Sequence, residues 1–216
     1  MSLLFFPSCK VKANYPEPSA RLLEYLGNRY QISTMGCCKV DYPKPAPDDT
    51  AVVVCNSCAA ICEESSKAGK VSSVWELVDD DPDFQFPDYG RMKVTMQDCW
   101  RSYDNASRQT AVRSLLTKMN IEYLELAENF NRTRYCGPSL LDSCPSINAE
   151  LAPERFVKNG ADMFRPFTPD EQKELMRRHC ENISTDKVVG YCTSCVLGAN
   201  MGGRQGLHLV ELVFKA

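Results

Sequence analysis

Nine of the chain's 12 cysteines fall into two sets whose spacing could do chemistry. The first set is Cys9, Cys37, Cys38, Cys55 and Cys58, and the second is Cys99, Cys136, Cys192 and Cys195. Each set closes on a C-x-x-C pair, Cys55/Cys58 and Cys192/Cys195. Thiols at that spacing can reach one metal, one cluster or each other. Four thiolates suit either zinc or an iron–sulfur cluster. Five, with two adjacent, exceed what a tetrahedral zinc ion uses and fit a cluster with an extra or bridging thiolate. The ferredoxin run C-x-x-C-x-x-C is absent.

The remaining composition narrows the setting. Leu3-Leu4-Phe5-Phe6 is too short for a leader and meets Pro7 at once, and no apolar run nears the roughly 20 residues of a membrane span. The chain therefore reads as cytoplasmic, with no transmembrane segment. In that reducing compartment an excess of cysteine points to metal, cluster or thiol redox chemistry rather than structural disulfides. A net charge of -3 argues against nucleic acid as a partner, because phosphate binding needs a basic face. With two histidines, His179 and His208, a histidine-based hydrolase is disfavoured. Cys62 and Cys180 fall on predicted helices and read as core thiols, and Cys144 lies in a loop. Gly202-Gly203-Arg204-Gln205-Gly206 is not a dinucleotide loop, since no strand precedes it at the required spacing.

The elements that must position these thiols repeat. Strands are expected at Ser2 to Phe6, Tyr30 to Thr34 and Ala51 to Val54, with helices from Pro16 to Asn28 and from Cys58 to about Lys67. Ser73 to Val78 is a short apolar piece, and Asp79 to Gly90, acidic and holding two prolines, reads as a linker. Strands then recur at Met92 to Met96, Ile121 to Leu126 and Val188 to Tyr191. Helices are expected from Asn105 to Met119 and from Thr168 to Cys180, the second opened by a capping box of Thr168 and Glu171. Leu140 to Arg165 is a less regular insertion, and Leu207 to Phe214 suits strand or helix. Strands alternating with helices argue for an α/β fold of two pseudo-symmetric halves with small, mainly parallel sheets. The halves are expected at about 1–90 and 91–216. In parallel sheets sites gather at the carboxyl ends of strands, where each motif cysteine stands, so the two thiol-bearing edges should face a common cleft.

The doubled motif, a lone cysteine, then a pair, then C-x-x-C, resembles the cysteine-rich CCG domain found in heterodisulfide reductase, over nearly the whole chain. Pro7-Ser8-Cys9 looks like the opening of the first domain of that family and Val94 to Cys99 like the opening of the second. His208-Leu209-Val210-Glu211-Leu212 is similar to the family's closing H-x-x-E-L. The resemblance implies that Cys9, Cys37, Cys38, Cys55 and Cys58 hold a noncubane [4Fe-4S] cluster at which a disulfide is reduced. It also implies that Cys99, Cys136, Cys192 and Cys195 form a second site. Lys39 stands where the glycine of the first CCG would be, and Tyr135 replaces the first of the second paired cysteines. The second site is thus left with three possible contents: [4Fe-4S], zinc or nothing.

The leading expectation is an iron–sulfur oxidoreductase subunit working by electron transfer or disulfide reduction. The chain carries no flavin or nicotinamide fingerprint, so a partner, an iron–sulfur or flavin subunit, would supply the electrons. A small thiol or disulfide would be the substrate. A zinc-stabilised interaction module in a redox complex is the alternative, and a metal-free dithiol enzyme leaves Cys37-Cys38 without a role.

Overall fold

The computed structural model describes residues 2–215. Four strands, β1 (Leu3–Phe6), β2 (Ile32–Thr34), β3 (Thr50–Val53) and β4 (Lys70–Ser73), form an all-parallel sheet in the order β2-β1-β3-β4. A second all-parallel sheet repeats this plan as β6-β5-β7-β8, from β5 (Met92–Gln97), β6 (Ile121–Glu125), β7 (Lys187–Gly190) and β8 (Gln205–His208). Helices α1 (Cys9–Asn14), α2 (Pro16–Arg29), α3 (Cys38–Asp41), α4 (Asn56–Ser65) and α5 (Val74–Asp79) accompany the first sheet. Helices α6 (Ala106–Lys118), α7 (Ser146–Leu151), α8 (Pro169–Glu181), α9 (Thr193–Met201) and α10 (Leu209–Val213) accompany the second. The fold is α/β with two similar halves, as the alternation of strand and helix patterns requires. Among the described residues no helix is long and apolar enough to cross a membrane.

The central strands are buried on both faces, as parallel strands between helices must be. Phe5, Val52 and Val54 point into one apolar core, and Phe6, Ala51 and Val53 into another. The first core runs through both halves. It joins Leu22, Trp75 and Val78 to Val94, Leu115, Leu116, Val189, Leu209 and Phe214. α5 packs on α6 and α10 on α2, and each large side chain buried there contributes about 1.5–3 kcal/mol. The interface also has polar ties. Arg108, 1% exposed, donates from Nη1 to Asn56 Oδ1 at 3.2 Å, and the Tyr89 hydroxyl donates to the Leu212 carbonyl at 2.9 Å.

Local chemistry fixes the helix starts. Thr168 and Glu171 cap α8 reciprocally, the Thr168 N–H donating to Glu171 Oε2 at 2.8 Å. Ser73 and Glu76 do the same for α5, so the apolar piece after Ser73 is a capped helix. Such caps contribute about 1 kcal/mol each. Leu207 to Phe214 divides at His208, where β8 ends and α10 begins. Ser8 takes the left-handed φ of 60° and accepts from the Val11 N–H, which starts α1 at Cys9.

Candidate metal centre

The second thiol set comes together at the carboxyl edge of its sheet. Cys99 leaves β5 two residues after the strand ends. Cys192 occupies the cap position of α9, and Cys195 lies in that helix's first turn. Cys136 arrives from the segment after β6, just before a tight 3-10 turn at Gly137–Leu140. The four sulfur atoms all lie within 4.8 Å of one another, with Cys99 Sγ to Cys136 Sγ at 3.4 Å and Cys136 Sγ to Cys192 Sγ at 3.7 Å. All four side chains are buried, Cys99 and Cys136 completely. Bonds of about 2.3 Å to one tetrahedral ion would set its thiolates about 3.8 Å apart, so four thiols so placed could hold a metal ion or a cluster. Among the described residues this is the one such group of three or more His, Cys, Asp or Glu ligand atoms.

Backbone contacts make the convergence possible. Gly137, at a φ of 54°, lies so close to the Cys192–Cys195 turn that an added Cβ would stand 1.9 Å from the Ser194 carbonyl oxygen. Gly198 likewise admits the Tyr135 hydroxyl and the Gly137 Cα. The Ser194 hydroxyl donates to the Cys136 carbonyl at 2.8 Å, as the Ser139 hydroxyl does at 2.9 Å. Below the thiols, Asp98 is completely buried and is gripped by Arg113 at 3.0 and 2.8 Å. Asp98 also accepts from the Tyr191 hydroxyl at 2.9 Å and from the Phe130 N–H at 2.8 Å. Because Asp98 precedes Cys99 and Tyr191 precedes Cys192, this network fixes the two loops that carry those ligands.

The charge on the quartet is uneven. Burial pushes the Cys136 thiol up, but hydrogen bonds with Cys192, Cys195 and Cys99 and the Arg101 charge outweigh it and hold it well below the usual thiol range. Burial, followed by the neighbouring sulfurs, pushes Cys99 and Cys195 well above that range. Arg101 donates from Nη1 to Cys136 Sγ at 2.6 Å and from Nη2 to Ser139 Oγ at 3.0 Å. Two buried donors near the quartet, Arg101 Nε and His208 Nε2, have no protein partner. His208 accepts the Val210 N–H at Nδ1, so its proton sits on Nε2, and burial pushes its pKa down to about 4. His208 thus caps α10 with one nitrogen and offers a donor with the other.

The first thiol set is placed differently. Cys55 is the half-buried cap residue of α4, and Cys58 and Cys38 are buried. The Cys58 thiol adjoins Cys38 and Cys55, and those two sulfurs, with burial, push it well above the usual thiol range. The Cys58 thiol, helped by the N–H groups of Cys58 and Ser57, pulls Cys55 down to about 6. Cys37 touches Cys38 but is exposed, and Cys9, at the start of α1, is exposed too. The structure therefore links Cys38, Cys55 and Cys58 without gathering all five thiols as tightly as the quartet. The two sets share one apolar cluster, in which Cys38 and Cys58 are buried with Cys99, Cys136, Cys192 and Cys195 and against which half-buried Cys55 packs. Cys55 and Cys192 lie close enough for their charges to act on each other.

The other sequence candidates stay apart from the quartet. Tyr135 stacks on His179 at 4.0 Å, and its hydroxyl approaches the Cys195 carbonyl at 3.4 Å, so the phenol packs against α9. The Cys144 thiol faces the Pro145 and Phe156 carbonyls at 3.8 and 3.9 Å. Cys62 and Cys180 are core thiols. Sequence reasoning missed Arg101, Asp98, Ser139 and Ser194. The one available signal was that Asp98 and Arg101 flank a motif cysteine. No protein-family model matches the chain, and no curated protein matches it.

Proposed function

We propose that this chain is an iron–sulfur redox protein, similar in its thiol plan to the CCG-domain component of heterodisulfide reductase. It would pass electrons to, or reduce, a thiol–disulfide substrate. The observation that carries the reading is the sealed quartet of Cys99, Cys136, Cys192 and Cys195 with Cys38 and Cys58 of the first set in the same buried cluster. The donor set is soft and anionic once deprotonated, which suits iron or zinc and disfavours magnesium or calcium. The unpartnered Arg101 Nε and His208 Nε2 are donors that sulfide or thiolate sulfur could satisfy. A bound cluster would supply one-electron chemistry. Cys99, Cys136, Cys192 and Cys195 would hold it, and Trp100, Phe156 and the aliphatic core would exclude water from it. In the first set Cys9 and Cys37 are exposed and Cys55 is half-buried, so a substrate sulfur would reach that set from solvent through them, while Cys38 and Cys58 are buried. Electrons would come from a partner subunit carrying its own cofactor.

A second reading, a structural zinc site, is favoured by one observation. The corners of a four-iron cubane are different irons, so its thiolates spread wider than those on a single ion. The 3.4 and 3.7 Å sulfur contacts suit a single ion. The test is anaerobic purification of wild type, Cys192→Ser and Cys144→Ser, with iron, sulfide and zinc analysis and visible absorption. Iron with sulfide and a visible band in wild type, lost in Cys192→Ser and kept in Cys144→Ser, is the expected result. Colourless protein holding only zinc would overturn the redox reading.

A further inference from the structure

We infer that Arg101 is the counter-charge of the four-thiol centre, a positioning residue that lets a sealed site carry excess negative charge and so bind metal tightly. The inference rests on the proposal that the quartet binds metal.

Four of the chain's arginines are buried at 7% exposure or less, and three of them face carboxylates. Arg113 holds Asp98 and Glu125, Arg155 holds Asp104, and Arg108 stands 3.8 Å from Glu63. Arg101 is the exception. Among the described residues its hydrogen-bond partners are the Cys136 sulfur and the Ser139 hydroxyl, with no carboxylate. A buried guanidinium is costly unless an anion neutralises it. Here the group in position to do so is a thiolate.

Charge counting gives the arrangement its purpose. Four thiolates on a divalent ion leave two negative charges in a site closed to water, and Arg101 cancels one of them. The faces of Trp100 and Phe156, at 6.0 and 5.4 Å from the guanidinium carbon, keep solvent from screening the pair. Ser139 holds the fork in place, because its hydroxyl meets Arg101 Nη2 and also bonds the Cys136 carbonyl. The same guanidinium is close enough to Cys55 to feel its charge.

The experiment is a Co2+ titration of protein stripped of metal under anaerobic, reducing conditions. The readout is the sulfur-to-cobalt absorption of wild type, Arg101→Met and Arg101→Lys, with circular dichroism to verify folding. Outer-shell partners of metal ligands typically change affinity by about 10–100-fold. Arg101→Met should weaken Co2+ binding by that factor, and Arg101→Lys, which restores charge without the fork, should recover most of the loss. Unchanged affinity in folded Arg101→Met overturns the inference while leaving the metal centre standing. If Arg101→Met does not fold, Arg101→Lys decides, and a folded Lys variant that has lost binding overturns the role of charge. Wild type that shows no thiolate–cobalt band overturns the metal proposal and this inference together.

Discussion

Replacing Gly137 by alanine tests whether close backbone approach builds the quartet. Gly137 and Gly90 have nearly the same left-handed φ, 54° and 57°. They differ in surroundings. An added Cβ at Gly90 meets nothing within 4 Å, whereas at Gly137 it would stand 1.9 Å from the Ser194 carbonyl oxygen and 2.8 Å from its carbon. The left-handed conformation alone costs an L-residue about 1–2 kcal/mol. Forcing extra volume into a packed site adds about 1–3 kcal/mol. Gly90→Ala should therefore lose about 1–2 kcal/mol and Gly137→Ala about 2–5 kcal/mol, measured by urea unfolding of the two variants side by side. The clash also predicts a local effect. Relieving it moves Cys136 away from the Cys192–Cys195 turn, so Gly137→Ala should bind Co2+ more weakly while Gly90→Ala binds as wild type does. Equal stability losses in the two variants, or unimpaired metal binding in Gly137→Ala, would refute the reasoning.

The buried polar groups give two further predictions. His208 is held below its ordinary pKa of 6.5, at about 4, by burial. As the pH falls through that window the unfolded chain takes up a proton that the folded chain refuses. Stability is thus full above about 6.5 and falls toward pH 4 by up to about 1.4 kcal/mol per pH unit. Urea unfolding from pH 7 to 4 should show that slope in wild type and a flatter one in His208→Gln, and parallel slopes would count against it. Asp98→Asn keeps the side chain's size but leaves buried Arg113 short of a charge, an error that typically costs about 3–5 kcal/mol. A loss under about 1 kcal/mol would mean that Glu125 alone satisfies that guanidinium.

Much of this architecture was legible as pattern. The apolar runs at 2–6, 51–54 and 188–191 read as strands, within a residue of the observed bounds, because parallel strands are buried on both sides and need no alternation. Thr168, Pro169 and Glu171 marked a helix start that the structure keeps. The largely polar edge strand at 70–73 gave no such signal, since a strand held mainly by backbone bonds to β3 does not need apolar side chains. α5 was readable as S-x-x-E at Ser73 to Glu76 but was obscured by its short length. Of the site, spacing alone grouped Cys99, Cys136, Cys192 and Cys195. Their burial and the role of Arg101 were hidden, because an arginine beside a tryptophan reads as surface until the 154–158 turn is seen folding Phe156 over it. The first set shows the limit of spacing as a guide. Cys9 and Cys37 share the register of their partners, yet they lie on helix starts that the chain leaves exposed.

The pairing of β5 with β7 has a consequence for how the quartet is assembled. Cys99 and Cys136 are separated by 37 positions and Cys136 and Cys192 by 56. Closing loops of such lengths in a free chain costs about 3–4 kcal/mol each in entropy. In small zinc modules the ion itself must offset that cost, and binding is folding. Here Thr95 already lies beside Val188, and Gln97 beside Gly190, so the sheet closes the long circuit before any ion arrives. Cys99, Cys192 and Cys195 are delivered by paired strands and the helix that follows them. Cys136 alone comes from a segment outside the sheet, tethered by Ser139, Ser194 and Arg101. An ion leaving this site would therefore free one arm of the cage and leave the frame standing.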